Sequence, residues 1–378
     1  MLQYSPAGQG QISERRRRLL IGNCPRQPDR RGFVADASGD YELAIVEFDD
    51  QGCYYERAQM AALADQVARL VRQDTDAVIV VFVHGWNHNA DPLDAGLLGF
   101  RHVLSIAARH ERQLNPARPR SILGIFVGWR GRTLFHPVLE YLTFWGRQAA
   151  GRRVAGGSVR ELFGLLRRYR DARRAAGGCP LLAVIGHSFG GMIVYSVLSQ
   201  SLIEYASSPD PQDSPRFADL VLLINPVLEA TRYLPIYDIL RRPGVPLHGH
   251  DTPPVFVCVS ARNDWPDRIL FPLGHAAARM MQRCRSRLER RCLGRTIGNI
   301  RPFRTHRLRG PVDGEMFSLT PTGNANRPGT PFWIVRAGSH VVDGHDGISH
   351  EPFQEFVGSL LFQHQGRTSH GTGPHSAA

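Results

Sequence analysis

The chain contains no lysine. All 46 basic residues are arginine, set against 34 acidic ones, for a formal net charge of +12 over 378 residues. Without a side-chain amine, Schiff-base chemistry and a serine–lysine dyad are both excluded. Cysteine is sparse. The six residues (Cys24, Cys53, Cys179, Cys258, Cys284 and Cys292) form no C-x-x-C pair and no dense framework. They read as free thiols of a reducing compartment rather than a disulfide scaffold. Cys258, inside an apolar run, reads as a small buried side chain. No apolar run approaches the roughly 18 residues that cross a bilayer. Arg15 to Arg18 imitate the charged start of a secretion signal, but only Leu19, Leu20 and Ile21 follow before polar residues return. The expectation is a cytoplasmic chain without a leader, at most peripheral to a membrane. No internal repeat is present.

The chain does hold apolar residues, at 42%, enough for one large α/β domain with insertions or for two ordinary domains. Short apolar runs alternate with helical periodicities. Strands are expected at Tyr41 to Phe48, Ala77 to Val83, Ile122 to Val127, Leu181 to Ile185, Leu220 to Ile224, Val255 to Val259 and Phe332 to Val335. Helices are expected at 56–72, where Met60, Leu63, Val67, Leu70 and Val71 share a face, at about 97–112, and through Val159, Leu162, Phe163, Leu166 and Tyr169. A closing helix carries Phe353, Phe356, Val357, Leu360 and Leu361. Continuous apolar strands are those covered on both faces. The pattern therefore predicts a doubly wound, mostly parallel sheet, with ligands at the carboxyl ends of the strands. Residues 1–38 and 364–378 are polar and expected to be loose, around a single domain over 39–363 with a small helical cap-like insertion near 131–157 and a basic insertion near 268–330.

The most informative stretch is Leu181 to Gly191 (Leu-Leu-Ala-Val-Ile-Gly-His-Ser-Phe-Gly-Gly). An apolar run enters a G-x-S-x-G and leaves into a largely apolar helical pattern from Met192 to Leu202. Strand, turn and helix in that order make a nucleophile elbow. The turn must be tight for Ser188 Oγ to project at the carboxyl edge of the sheet. Gly186 and Gly190 supply the room this needs. The helix behind Ser188 points its positive end at a developing oxyanion. The alternative is a glycine-rich connection with an incidental serine. With no lysine available, a histidine must act as the base.

Upstream, the β-branched run Ala77 to Val83 ends in His84-Gly85-Trp86-Asn87-His88-Asn89-Ala90. A metal reading of His84 and His88 is poor, because the H-E-x-x-H glutamate is missing and a glycine interrupts the pattern. Together the two glycine motifs resemble the α/β-hydrolase superfamily, in particular lipase- and esterase-like members and uncharacterised bacterial chains with this His-Gly loop. The resemblance follows the element order over about residues 40–363 and implies an α/β-hydrolase type of sheet. It implies that the backbone N–H groups of Trp86 and Phe189 form the oxyanion hole, with Gly85 letting the loop turn toward the acyl oxygen. It also implies the triad order serine, acid, histidine. Asp264, a few residues after the Val255 to Val259 strand, matches the acid best, with Asp267 as its rival. His345, between Gly344 and Gly347, matches the base best, with His340 and His350 in the same window. A serine esterase of this kind requires no metal or organic cofactor. Its substrate would be a small acyl or lipid molecule. The reading would fail on a Ser188 side chain that is buried, or that has no imidazole beside it.

Positive charge is concentrated. Residues 130–174 hold 11 arginines against three acids, and 279–309 hold 11 against Glu289 alone. Everything else is mildly acidic. Such surfaces suit an anionic substrate or an anionic membrane face. The plainer reading is that a chain without lysine uses arginine for all its solvated charge. No nucleic-acid recognition motif is present, and the oligomeric state is not legible.

Overall fold

The structure is a computed structural model. It describes residues 33–35, 39–85, 90–129, 137–208, 216–242, 253–263, 283–311, 315–322, 330–346 and 349–363, with backbone only at 34, 35, 137–145 and 147. The elements run β1 (Phe33–Ala35), β2 (Glu42–Phe48), α1 (Arg57–Arg72), β3 (Ala77–Val83), α2 (Ala95–Leu114), β4 (Ser121–Trp129), α3 (Pro137–Gly156) and α4 (Val159–Ala175). They continue with β5 (Leu181–His187), α5 (Phe189–Ser207), β6 (Leu220–Ile224), α6 (Leu234–Leu240), β7 (Phe256–Ala261), α7 (Arg287–Cys292), β8 (His306–Arg309), β9 (Ser318–Pro321), β10 (Phe332–Ala337) and α8 (Glu351–Phe362).

The central strands are apolar throughout because water reaches neither of their faces. Every residue of β3, β5, β6 and β7 is buried. Alternate side chains feed two core layers. Ile79, Val81 and Val83 join the layer built with α1, α3, α4 and α5, while Val78, Val80 and Phe82 join the layer under α2 and α8. Helices thus cover both faces, as a doubly wound α/β sheet requires.

Among the described residues the sheet has ten strands in the order β1-β2-β4-β3-β5-β6-β7-β10-β8-β9. β2 through β8 are parallel, and β1 and β9 close the two edges antiparallel. The connection β3 to β4 moves one way along the sheet and β5 to β6 the other. The crevice for a ligand in such a sheet lies at this reversal, beyond the carboxyl ends of β3 and β5.

Three features depart from expectation. Phe33–Ala35, in the segment read as loose, pairs along β2. The basic insertion supplies two sheet strands, β8 and β9, beyond β10. Val71 is 43% exposed rather than on the apolar face of α1, since it lies one residue past Leu70 and so turns about 100° away. Residues 131–136 lie outside the described residues. The helix that follows packs on α5, where Gly151 leaves room for Met192 and Ile193. Among the described residues no helix is long and apolar enough to cross a membrane.

Candidate active site

β5 delivers His187 and Ser188 to the carboxyl edge, and α5 starts at Phe189. Ser188 has φ +56° and ψ −119°, a left-handed conformation that costs a non-glycine residue of order 1–3 kcal/mol. Neighbouring backbone holds it there. Its N–H donates to the Ile224 carbonyl at 2.9 Å, and its carbonyl accepts from Val227 N–H at 3.1 Å. The expected reason for flanking glycines is visible in the packing. A Cβ on Gly190 would lie 2.0 Å from the Val83 carbonyl oxygen, and one on Gly186 2.7 Å from the Gly190 carbonyl oxygen. The turn closes only because both lack one.

His345, the expected base, lies beside Ser188. His345 Nε2 and Ser188 Oγ are 2.7 Å apart, hydrogen-bond distance for proton transfer. Neither His340 nor His350 hydrogen-bonds to Ser188. Asp264 and Asp267 lie outside the described residues, as do Trp86 and His88. Phe189 is the first residue of α5, so its N–H is at the positive end of that helix. Gly85 passes so close to the elbow that a Cβ there would lie 2.6 Å from Ser188 Cβ.

Ser188 is 1% exposed, and its neighbours His187 and Phe189 are fully covered. The hydroxyl therefore does not stand open at the sheet edge as expected: of the two conditions set from the sequence, burial goes against the acyl reading and the adjacent imidazole goes for it. His345, half-buried, is the more accessible member of the pair.

What holds His345 was not apparent from the sequence. Its carbonyl accepts from Asn225 Nδ2 at 2.8 Å and from His187 Nε2 at 2.9 Å. Asn225 Nδ2 also donates to the Gly344 carbonyl at 3.1 Å, while its Oδ1 accepts from Ala261 N–H at 2.8 Å. Asn225 is fully buried, with φ +43°. On the other side Asn263 Oδ1 accepts from Gly344 N–H at 3.0 Å, and its Nδ2 donates to Asp343 at 2.6 Å. Residues ending three adjacent strands thus grip the backbone of the histidine loop. The only signal in the sequence was position: each polar residue stands at the end of an apolar strand or within two residues after it.

His84 is structural. Its Nε2 accepts from Trp129 N–H at 3.0 Å, which fixes it as the neutral ring with the proton on Nδ1, donated to the Gly85 carbonyl at 2.8 Å. Trp129 Nε1 returns a bond to the His84 carbonyl at 2.8 Å. The start of the proposed oxyanion loop is therefore anchored to the end of β4. His187, His345 and Asp346 bring ligand atoms within 4.8 Å of one another, the arrangement nearest to a metal site among the described residues. The His345 ring there is already committed to Ser188.

A doubly wound α/β chain with a serine at a strained strand–helix turn and an imidazole on its hydroxyl is the class these observations define. No family model matches the chain, and no curated protein matches it. Among solved structures it is similar to RedJ with a polyethylene glycol molecule in its active site, at 12% identity and TM-score 0.27, over 76% of this chain and 91% of that one. It is also similar to Trichoderma reesei cutinase in complex with a C11Y4 phosphonate inhibitor, at 16% identity and TM-score 0.20, over 45% and 67%. A third similar structure is an uncharacterized protein from Pseudomonas aeruginosa, at 11% identity and TM-score 0.31, over 84% and 52%. Likenesses this weak carry no argument about chemistry, which rests on the site itself.

Proposed function

We propose that this chain is a serine hydrolase that cleaves a carboxylic ester, or a related acyl bond, through an acyl-enzyme. The observation that carries the reading is the 2.7 Å contact between His345 Nε2 and the hydroxyl of Ser188, a residue held at positive φ. His345 takes the Ser188 proton as Oγ bonds to the acyl carbon. The oxyanion is stabilised by the Phe189 N–H at the start of α5, with Trp86 N–H as the second donor. His345 returns the proton to the leaving alkoxide as the carbon–oxygen bond breaks, and water then resolves the acyl-enzyme. Asp264, or its rival Asp267, orients the imidazolium. Substrates are small acyl or lipid molecules.

The near-complete burial of Ser188 favours a second reading, a non-catalytic module that keeps the elbow for packing. A panel of p-nitrophenyl esters of increasing chain length, with phospholipids alongside, separates the two. Turnover that falls on the order of 10⁴-fold in Ser188→Ala supports the hydrolase. Equal rates in both proteins would assign the activity to something else.

A further inference from the structure

We propose that the arginine-rich segment between β7 and β10 is a docking surface for an anionic lipid bilayer, and that it turns the Ser188 edge of the sheet toward that bilayer. The two basic stretches of the chain differ in the structure. On α4, Arg167 and Arg170 meet Asp171, Arg173 meets Asp74 and Asp76, and Arg174 meets Asp219. Four of the six arginines of α4 are thus balanced where they stand, while Arg160 donates to the Ala155 carbonyl and Arg168 has no carboxylate partner among the described residues. In the second stretch Arg283, Arg285, Arg287, Arg290, Arg291 and Arg295 are exposed, and none has a carboxylate partner among the described residues. Arg307 and Arg309 on β8 are in the same state. The single acid among them, Glu289, accepts the backbone N–H of Arg285 at 2.5 Å within the first turn of α7. Arginine used merely for solvation is interspersed with the opposite sign, as for most of α4. Here none of the eight is paired with a carboxylate among the described residues.

The patch borders the catalytic edge. Gly294 N–H donates to Glu229 and Ala230 N–H to the Arg295 carbonyl. These bonds tie the end of α7 to the segment leaving the carboxyl end of β6. β8 runs parallel to β10, so Arg309 stands at the same end of the sheet as Ser188. Of the five large apolar side chains exposed among the described residues, three are at this end. Leu93 and Leu98 lie between β3 and the first turn of α2, and Met316 lies between β8 and β9. Headgroup phosphates accept guanidinium bidentately, and the interfacial region accepts aliphatic side chains. Nucleic acid would use the cations but not the apolar side chains at the same end of the sheet, so the combination favours lipid.

The test is co-sedimentation of the full-length protein with vesicles of phosphatidylcholine alone, or with about one-third phosphatidylserine. The proposal predicts binding to the anionic vesicles only, declining steeply with salt. Each arginine near such a surface is worth about a fivefold gain in partitioning. Replacing four together (Arg287→Gln, Arg290→Gln, Arg291→Gln and Arg295→Gln) should therefore lower partitioning by at least ~100-fold. Arg109→Gln with Arg112→Gln, which removes two ion-paired arginines from α2, should change it by no more than ~3-fold. Ser188→Ala should bind like the wild type, which separates this outcome from that of the catalytic reading. Equal binding to both vesicle types, or a quadruple variant that partitions like the wild type, would overturn the proposal. So would tighter binding to duplex DNA than to anionic vesicles at the same salt. If the quadruple variant does not fold, salt-independent binding of the wild type overturns it equally.

Discussion

Asn225→Gly is the most telling perturbation of the site that spares both Ser188 and His345. Asn225 makes three hydrogen bonds from a fully buried position: two through Nδ2, to the carbonyls of Gly344 and His345, and one through Oδ1, from Ala261 N–H. Glycine tolerates the φ of +43°, so the substitution removes the amide without adding backbone strain. It leaves a buried N–H at Ala261 and weakens the hold on two carbonyls. Each unmatched buried group costs about 1–3 kcal/mol. His187 still donates to the His345 carbonyl, so a net loss near 3 kcal/mol is expected. The effect on reactivity should be larger than this implies, because a displacement of about 1 Å in a catalytic group costs on the order of 100-fold. The assay pairs thermal unfolding with the second-order rate of Ser188 phosphonylation by a fluorophosphonate, measured well below the transition. The pH profile of that rate adds a readout that a purely structural role would not move. A variant that loses the stability but labels at the wild-type rate, with an unchanged profile, would refute the idea that Asn225 aims His345.

Two other predictions concern stability. Glu111 is buried, which raises its pKa, but hydrogen bonds and charge from Arg120, with Asn115, outweigh burial and hold it below the usual value. Its contribution is present above pH of about 4.5 and lost as pH falls through its folded value. Glu111→Gln should cost about 3 kcal/mol at pH 7, since Arg120 is left buried without a counter-charge. The variant should also lose less on acidification, as followed by urea unfolding at pH 7 and pH 4. Burial lowers the pKa of His306, against Trp333, to about 4. That folded value lies below the unfolded one, so stability is complete above pH of about 6.5 and falls between 6.5 and 4 as the unfolded chain takes up the proton. Some 2–3 kcal/mol should be lost over this window. His306→Phe should flatten it, and an unchanged pH dependence in the variant would contradict the assignment.

Where a strand is buried on both faces, the apolar run and the ladder coincide. Ala77–Val83 and Leu220–Ile224 were read with the ends they have. Where a strand carries chemistry, the run stops early while the pairing goes on. β5 continues through Gly186 and His187, β7 through Ser260 and Ala261, and β10 through Arg336 and Ala337. Of the polar residues at these ends only His187 grips the histidine loop, joined by Asn225 just after β6 and Asn263 two residues beyond β7, so hydropathy hides the parts nearest the site. β8 and β9 were missed for another reason. They are strands of four residues each, β9 at the sheet edge and β8 next to it, polar for the most part and with no apolar alternation to betray them. That Ser188 and His345 would stand together was legible because a tight elbow and a histidine after the last strand leave traces in residue type. The roles of Asn225, His187 and Asn263 were not, since they act on backbone atoms that only the folded chain brings to them. The depth of Ser188 was equally hidden, because what covers a residue depends on packing between segments distant in sequence.

The central claim is that the Ser188 hydroxyl is a nucleophile activated by His345. Intact-mass analysis after incubation with a small fluorophosphonate tests it most directly. The account predicts a single adduct on the folded wild type, mapping to Ser188, strongly slowed in His345→Ala and absent in Ser188→Ala. A folded wild type that stays unmodified, or an adduct that persists in Ser188→Ala, would contradict it.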